Sequence, residues 1–324
     1  MDLSRLIPGP FCSRILADLG ARVTKVEDPR QGDYLRGLGG VLFEALNRNK
    51  KIIKIDLKSE AGREKILDLV RKSDVVIESF RPGVLKRLRL SFRDLKRVNR
   101  RLIVASITGF GQTGPNRDRA GHDLNYVSLA GVPGLQQVPS LQWADLVGGG
   151  IMGALSIVSA LRGDKKKRMA CHLDISMTDA MIFCGMGPVV LSQTGENLDL
   201  LTGRVGRYQI YRTSDGRYVS LAALEDKFWN RFCDLIGHTD WKDSGFLFPD
   251  AAPEIKEGLA AIFRGKTRDE WEKLGREEEI CLTPVLTPAE VVTSPQFRSR
   301  RFHLRRKRNG REILFPKFPM RQIP

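Results

Sequence analysis

The chain has 324 residues, 41% of them hydrophobic and 28% charged, enough apolar material for a sizeable core and a balance that excludes a disordered polypeptide. Lys and Arg number 54 against 38 Asp and Glu, and the formal charge of +16 draws in polyanions: nucleic acid, an anionic membrane or a phosphorylated cofactor. Five scattered cysteines with no Cys-x-x-Cys pair, and four histidines in no ligand spacing, speak against a disulfide framework and a zinc site, and the cysteines are expected to be small buried hydrophobes.

The first half alternates between helical and strand periods. Phe11, Ile15, Leu16 and Leu19 share a helical face, with Gly20 as its C-cap, and Arg22–Glu27 then alternates as a strand. Lys51–Ile55 is a second strand, followed by a helix capped by Ser59 that carries Ile66, Leu69 and Val70. Asp74–Ile77 and Leu102–Ile107 are short apolar runs of the kind that fill parallel strands buried on both faces. Strand, helix, strand at this spacing predicts βαβ units and an α/β fold.

A helix is expected from Gly148 to Leu161, ending at Gly163, and Cys171–Ile175 returns as a strand. Ser192–Gly206, rich in Gly, Asn and Thr, is a linker. Tyr208–Arg212 and Arg217–Leu221 flank Ser214-Asp215-Gly216, a hairpin signal. Phe228, Trp229, Phe232, Leu235 and Ile236 share a helical face, a further helix lies near Arg268–Leu274, and together these form a second, smaller α/β domain. The domain layout is therefore 1–190 for the large domain, 191–206 for the linker, 207–295 for the small domain and 296–324 for a tail. No unbroken apolar run long enough to span a bilayer is found, nor a leader at Met1, nor a lipidation or peroxisomal tripeptide signal at Arg321–Pro324, so the expected address is cytoplasmic. Basic clusters at Lys86–Arg101, Arg162–Arg168 and Arg298–Arg311 come with no helix-turn-helix, zinc-finger or RNP signature, so neither nucleic acid nor membrane is expected as a partner.

The chemistry concentrates in three segments: Thr108–Pro115, Gly121–Tyr126 and Ala144–Gly150. The glycines after Leu102–Ile107 lie at the carboxyl end of a strand, where open α/β sheets bind ligands, but they match neither G-x-G-x-x-G nor a P-loop. Asp145 has two readings. It caps the helix that follows, or Gly148-Gly149-Gly150 clears space for an acyl thioester to approach both its carboxylate and free helix-start amides that would hold an enolate oxygen. His122 is either a hydrogen-bonded loop residue or a catalytic base.

Many ordered motifs resemble the family III CoA-transferase group: Ala17–Ala21, Asn47-Arg48-Asn49-Lys50, Asp56–Ser59, Phe80-Arg81-Pro82-Gly83-Val84, Gly109–Pro115, Tyr211-Arg212-Thr213 and Asp215-Gly216. The resemblance implies a Rossmann-like large domain, a smaller α/β domain, a tail returning to the large one, and an interlocked ring-like homodimer. It implies an acyl-CoA substrate whose coenzyme A meets Arg30, Lys58, Arg81 and Arg87, with Gly121 and Tyr126 also in the binding site and no metal or further cofactor required. Gly121-His122-Asp123-Leu124-Asn125-Tyr126, Ala144-Asp145 and Ala223-Leu224-Glu225 are similar to segments of the group's 2-methylacyl-CoA racemases. That similarity implies proton exchange at carbon 2 by His122 and Asp145, with Glu225 of one chain beside His122 of the other and Asp123 holding the loop. The alternative is a CoA-transferase with Asp145 as nucleophile. Relative to the group, Met1–Arg5 begins almost inside the first strand, and the Tyr126–Asp145 connection is short.

Overall fold

The structure is a computed structural model, and it describes residues 1–38, 40–132, 138–164, 166–196, 201–244, 253–301 and 303–320. The chain divides into two compact units, Met1–Met186 with Phe302–Pro324, and Gly187–Arg301.

In the first unit the elements run α1 (Pro8–Asp18), β1 (Val23–Glu27), α2 (Gly40–Asn47), β2 (Lys50–Lys54), α3 (Glu60–Arg71), β3 (Val75–Glu78), α4 (Val84–Arg87), α5 (Phe92–Val98), β4 (Ile103–Thr108) and α6 (Asp123–Leu129). A π-helical segment, Ala144–Ile151, then runs directly into α7 (Met152–Leu161), followed by β5 (Cys171–Ser176) and α8 (Met177–Cys184), with α9 (Met186–Leu191) crossing the unit boundary. Strands β1 and β2 pair in parallel, as do β3, β4 and β5. Asp2 joins the two groups, bridging Lys25 on β1 and Ile77 on β3, so Met1–Leu3 supply the centre of one parallel sheet.

Each face of this sheet is covered, which is why its strands read as apolar runs. On one face Ala105 and Ile107 of β4 pack with Cys12, Ile15 and Leu16 of α1, Ala154 and Ile157 of α7, and Met177 and Met181 of α8. On the other, Val76 and Val104 pack with Ile66 and Val70 of α3 and Leu95 of α5. Ser59 caps α3 through the Gly62 amide, as its position suggests, and Gly20 adopts φ +101° after α1.

The seam at Asp2 is polar and buried. Its carboxylate accepts from Ser13 Oγ (2.6 Å) and the Ser4 amide (2.9 Å) and pairs with Lys50 Nζ (3.2 Å). Lys25 pairs beside it with Asp33 (2.9 Å), and Lys50 also donates to Asn47 (2.9 Å). Arg48 reaches Asp18 (2.5 Å), so the Asn47–Lys50 motif works here as a scaffold.

The second unit contains β6 (Tyr208–Arg212), β7 (Tyr218–Ala222), α10 (Asp226–Ile236), α11 (Pro253–Phe263), α12 (Arg268–Glu277), β8 (Leu282–Pro284), α13 (Pro288–Thr293) and α14 (Pro295–Arg300). Its strands pair antiparallel in the order β6-β7-β8, and Gly216 supplies the φ of +75° that the first hairpin needs. Tyr211, Trp229, Phe232, Phe263 and Trp271 form the core under the helices. Back in the first unit, β9 (His303–Arg308) and β10 (Arg311–Pro316) form an antiparallel hairpin, with Arg306 on Glu44 (3.0 Å). The linker expected over 191–206 lies partly outside the described residues, as does the C-terminal tetrapeptide.

One expectation needs correction. Cys12 and Cys233 are buried, but Cys171 and Cys281 are only partly so and Cys184 is exposed. The helical stretch Ala144–Leu161 is long and apolar enough by composition to cross a membrane, with a mean hydropathy of 1.6. Here one of its faces packs into the sheet core through Ala154 and Ile157.

Candidate active site

The carboxyl ends of β3 and β4 open into a cavity of about 610 Å³. Ser79, Phe80, Arg81 and Pro82 follow β3 into it, and Thr108, Gly109 and Phe110 follow β4, the end at which open parallel sheets place ligands. His122, Tyr126 and Asp145 line the same cavity, together with Gly121. Residues separated by 23 positions in sequence thus face one space.

The loop before α6 is set by tight packing. Tyr126 donates its hydroxyl to the Gly121 carbonyl and meets Phe110 edge-on at 5.1 Å. A methyl group added at Gly109 would fall 2.3 Å from the Tyr126 ring, and one at Gly121 would fall 2.8 Å from it, so no larger residue fits at either place without moving the tyrosine. His122 sits at the head of α6 with its amide on the Asn125 side chain (3.0 Å) and its imidazole exposed at the cavity wall.

Asp123 carries the main correction to the sequence reading. Its carboxylate accepts the Asp145 amide at 2.8 Å and also the amides of Trp143 and Ala144. Asp123 therefore takes the capping role that one of the two readings gave Asp145, and Asp145 stands in the first turn and lines the cavity. Those three amides are spent, so the expected use of the helix start for an enolate oxygen falls. The amides of Asp123 and Leu124, in the first turn of α6, have no acceptor among the described residues.

Burial, and next the Asp123 carboxylate, push the Asp145 carboxyl up to about 7. Burial likewise raises Asp123, against the three amides that favour its ionised form.

The glycine triplet has a different role from the one expected. A methyl group on Gly149 would lie 2.5 Å from Pro8 Cβ and 3.0 Å from Ile107 Cγ2, and one on Gly150 would lie 2.4 Å from Phe11 Cδ1. The triplet lets the helix backbone press against α1 and β4, and it faces the core instead of a ligand. The helix also starts four residues before the expected Gly148 and opens in π form, a geometry that recurs at functional sites.

The basic residues divide. Arg81 lines the cavity, and so do Arg5, Arg117 and Arg119, which sequence reasoning missed. Arg117 and Arg119 fall between two recognised motifs, so proximity was their signal; Arg5 gave none. Arg5 is held over the rings of Tyr34 (5.6 Å) and Phe80 (5.7 Å). Arg87 is exposed and, like Arg117, lies within 3.8 Å of where a Gly83 Cβ would stand, so both guanidinium groups flank the Phe80–Gly83 turn. Arg30 pairs with Asp56 at 3.6 Å, and the Lys58 amide donates to that same carboxylate; neither residue lines the cavity. Glu225 is in the second unit, at the N-cap of α10. No cluster of three or more His, Cys, Asp or Glu suited to a metal ion occurs among the described residues.

The site is thus a cavity at the carboxyl end of a parallel sheet, lined by four arginines, with a histidine and a buried, raised aspartate on its wall. The chain belongs to CoA-transferase family III, which matches residues 1–322. It is 34% identical over 306 residues to human alpha-methylacyl-CoA racemase, covering 90% of this chain and 78% of that one. It is also 31% identical over 323 residues to acetyl-CoA:oxalate CoA-transferase of Acetobacter aceti, covering 93% and 82%. A solved CaiB/BaiF family protein from Brucella suis superposes with a TM-score of 0.80 at 28% identity, over 98% of this chain and 94% of its own. Members of the family are enzymes, and both racemases and transferases are among the relatives.

Proposed function

We propose that the protein is a racemase that exchanges the α-proton of 2-methylacyl-CoA thioesters through an enolate. The observation that carries this reading is the pairing of His122 and Asp145 on one cavity, with the carboxyl raised to about 7. At neutral pH an ordinary aspartate has no proton to give, whereas this one holds it about half the time. His122 takes the α-proton from one face of carbon 2, and Asp145 returns a proton to the other; for the opposite enantiomer the roles exchange. No electron changes hands, so the exchange calls for no redox cofactor, and coenzyme A enters as part of the substrate.

Arg81, Arg87 and Arg117 are placed to meet the phosphates of CoA, since a guanidinium binds phosphate oxygens in pairs, with Arg30 and Lys58 further out. Glu225 reaches His122 from a second copy in an interlocked homodimer. The side chains of Ile151, Leu155 and Val158, 45%, 59% and 47% exposed along one helical face, support such an assembly.

CoA transfer, with Asp145 as nucleophile, is the second reading, favoured by the likeness to the Acetobacter transferase. A carboxyl raised to about 7 is half ionised at neutral pH and serves either reading; the histidine on the same cavity, for which transfer has no use, favours the racemase. Incubation of a 2-methylacyl-CoA in deuterated water separates the two. Wash-in at carbon 2 that falls about 10²–10⁴-fold in both His122→Ala and Asp145→Ala supports the racemase. CoA transfer to a free acid that survives in His122→Ala and is lost in Asp145→Ala refutes it.

A further inference from the structure

The opposite edge of the parallel sheet carries a second feature, distinct from the cavity. Because β1, β3, β4 and β5 are parallel, the loops that enter them all land on one amino edge: residues 19–22, 72–74, 99–102, and 162–164 with 166–170. The loops are pinned to each other. Asn99 Nδ2 donates to the carbonyls of Val70 (3.0 Å) and Ser73 (2.8 Å), Arg168 Nε to the Arg101 carbonyl (3.0 Å), and the Ala170 amide to the Arg100 carbonyl (2.7 Å).

This edge is basic beyond any structural need. Arg22, Lys72, Arg100, Arg101, Lys166 and Lys167 are all exposed there. Their acidic neighbours are few: Asp74 pairs with Arg168 (2.9 Å), Asp164 turns back onto the Lys166 amide (2.8 Å), and Asp18, at the end of α1, is taken by Arg48 (2.5 Å). Cations at a helix C-terminus answer the helix dipole, as Lys72 does at the C-cap of α3, but the other five lie past the capped ends of α1, α5 and α7. Two apolar side chains stand out among them, Met169 at 75% exposure and Leu19 at 40%.

We propose that this amino edge docks the protein on an anionic phospholipid surface. A row of cations spread over roughly 20 Å of sheet edge suits lipid headgroups, and protruding Met169 and Leu19 suit shallow insertion between them. Nucleic acid fits less well. Base stacking asks for open aromatic rings, and the ring on this side, Phe92, is already stacked on His172 at 5.4 Å. The sheet then stands with its cavity facing away from the membrane, open to solvent. This contact is peripheral and needs no spanning segment.

The test is co-sedimentation of the full chain with vesicles of phosphatidylcholine alone or with about one-third phosphatidylserine, at low and high salt. Binding is expected only to the anionic vesicles and is expected to weaken as salt rises. Each basic residue near such a surface contributes about fivefold to partitioning, so Arg100→Glu/Arg101→Glu/Lys166→Glu/Lys167→Glu should bind at least 100-fold more weakly. Its unfolding transition and its deuterium wash-in should remain those of the parent. Met169→Ser should weaken binding by a smaller factor with no change in salt dependence. Equal binding to both vesicle types, an unaffected quadruple variant, or displacement of vesicles by RNA at lower concentration overturns the proposal.

Discussion

The link between Asp123 and Asp145 makes a quantitative test possible. Asp123→Asn keeps an oxygen to accept the amides of Trp143, Ala144 and Asp145, but removes the charge. The Asp123 charge is the second cause of the raised Asp145 value; two charges about 6 Å apart at an effective dielectric of about 40 repel by about 1.4 kcal/mol, close to one pH unit. Burial, the larger cause of the raised value, is unchanged by the substitution. In the proposed mechanism, wash-in from the enantiomer that His122 deprotonates needs protonated Asp145, so its rate is expected to fall as pH rises through about 7. In the variant that fall should move to about pH 6. The assay is deuterium incorporation at carbon 2 across pH 5–9 with saturating thioester. A folded variant whose fall stays near 7, or moves upward, would refute the electrostatic link.

Other outcomes follow from the same contacts. Asp145 binds a proton more tightly folded than unfolded, so between its ordinary value of 3.8 and about 7 stability drops as pH rises. Asp145→Asn should therefore stabilise the fold at pH 8 by about 2 kcal/mol, half the full linkage value after solvent screening, and by little at pH 4, as read by urea unfolding. Burial raises Glu78 to about 7 as well, so Glu78→Gln should flatten the loss of stability between pH 4.5 and 7. Gly149→Ala gains about 1 kcal/mol of helix propensity but drives a methyl into Pro8 and Ile107; a net loss of about 2 kcal/mol is expected, and equal or higher stability would contradict the packing role. Asp2→Ala strands the buried Lys50 ammonium, whose pKa burial already lowers to about 8, and should cost about 3–5 kcal/mol.

The parallel strands and flanking helices were legible because a strand buried on both faces must be an apolar run, as Ile103–Ile107 is. The aromatic face of α10 showed itself in the same way through Trp229 and Phe232. What escaped was set by partners far away in sequence. Nothing local to Met1–Leu3 marks them as the middle of a sheet, since that role depends on Lys25 and Ile77. The β9–β10 hairpin was read as a tail because Arg305, Arg306 and Lys307 hide its period, and the partner that holds Arg306, Glu44, is far away in sequence. At the site, the residue types of His122 and Asp145 were visible, but the cap that frees Asp145 was not. Capping is assigned by nearness in sequence, and Asp123 reaches the helix start from 22 residues away.

That reach has an evolutionary consequence. Asp123 follows His122 directly and grips the turn that bears Asp145, so one short clamp fixes both groups. The stretch of chain between α6 and that turn is released from any duty to maintain their spacing. Changes in its length or composition are then expected to leave His122 and Asp145 on the same cavity.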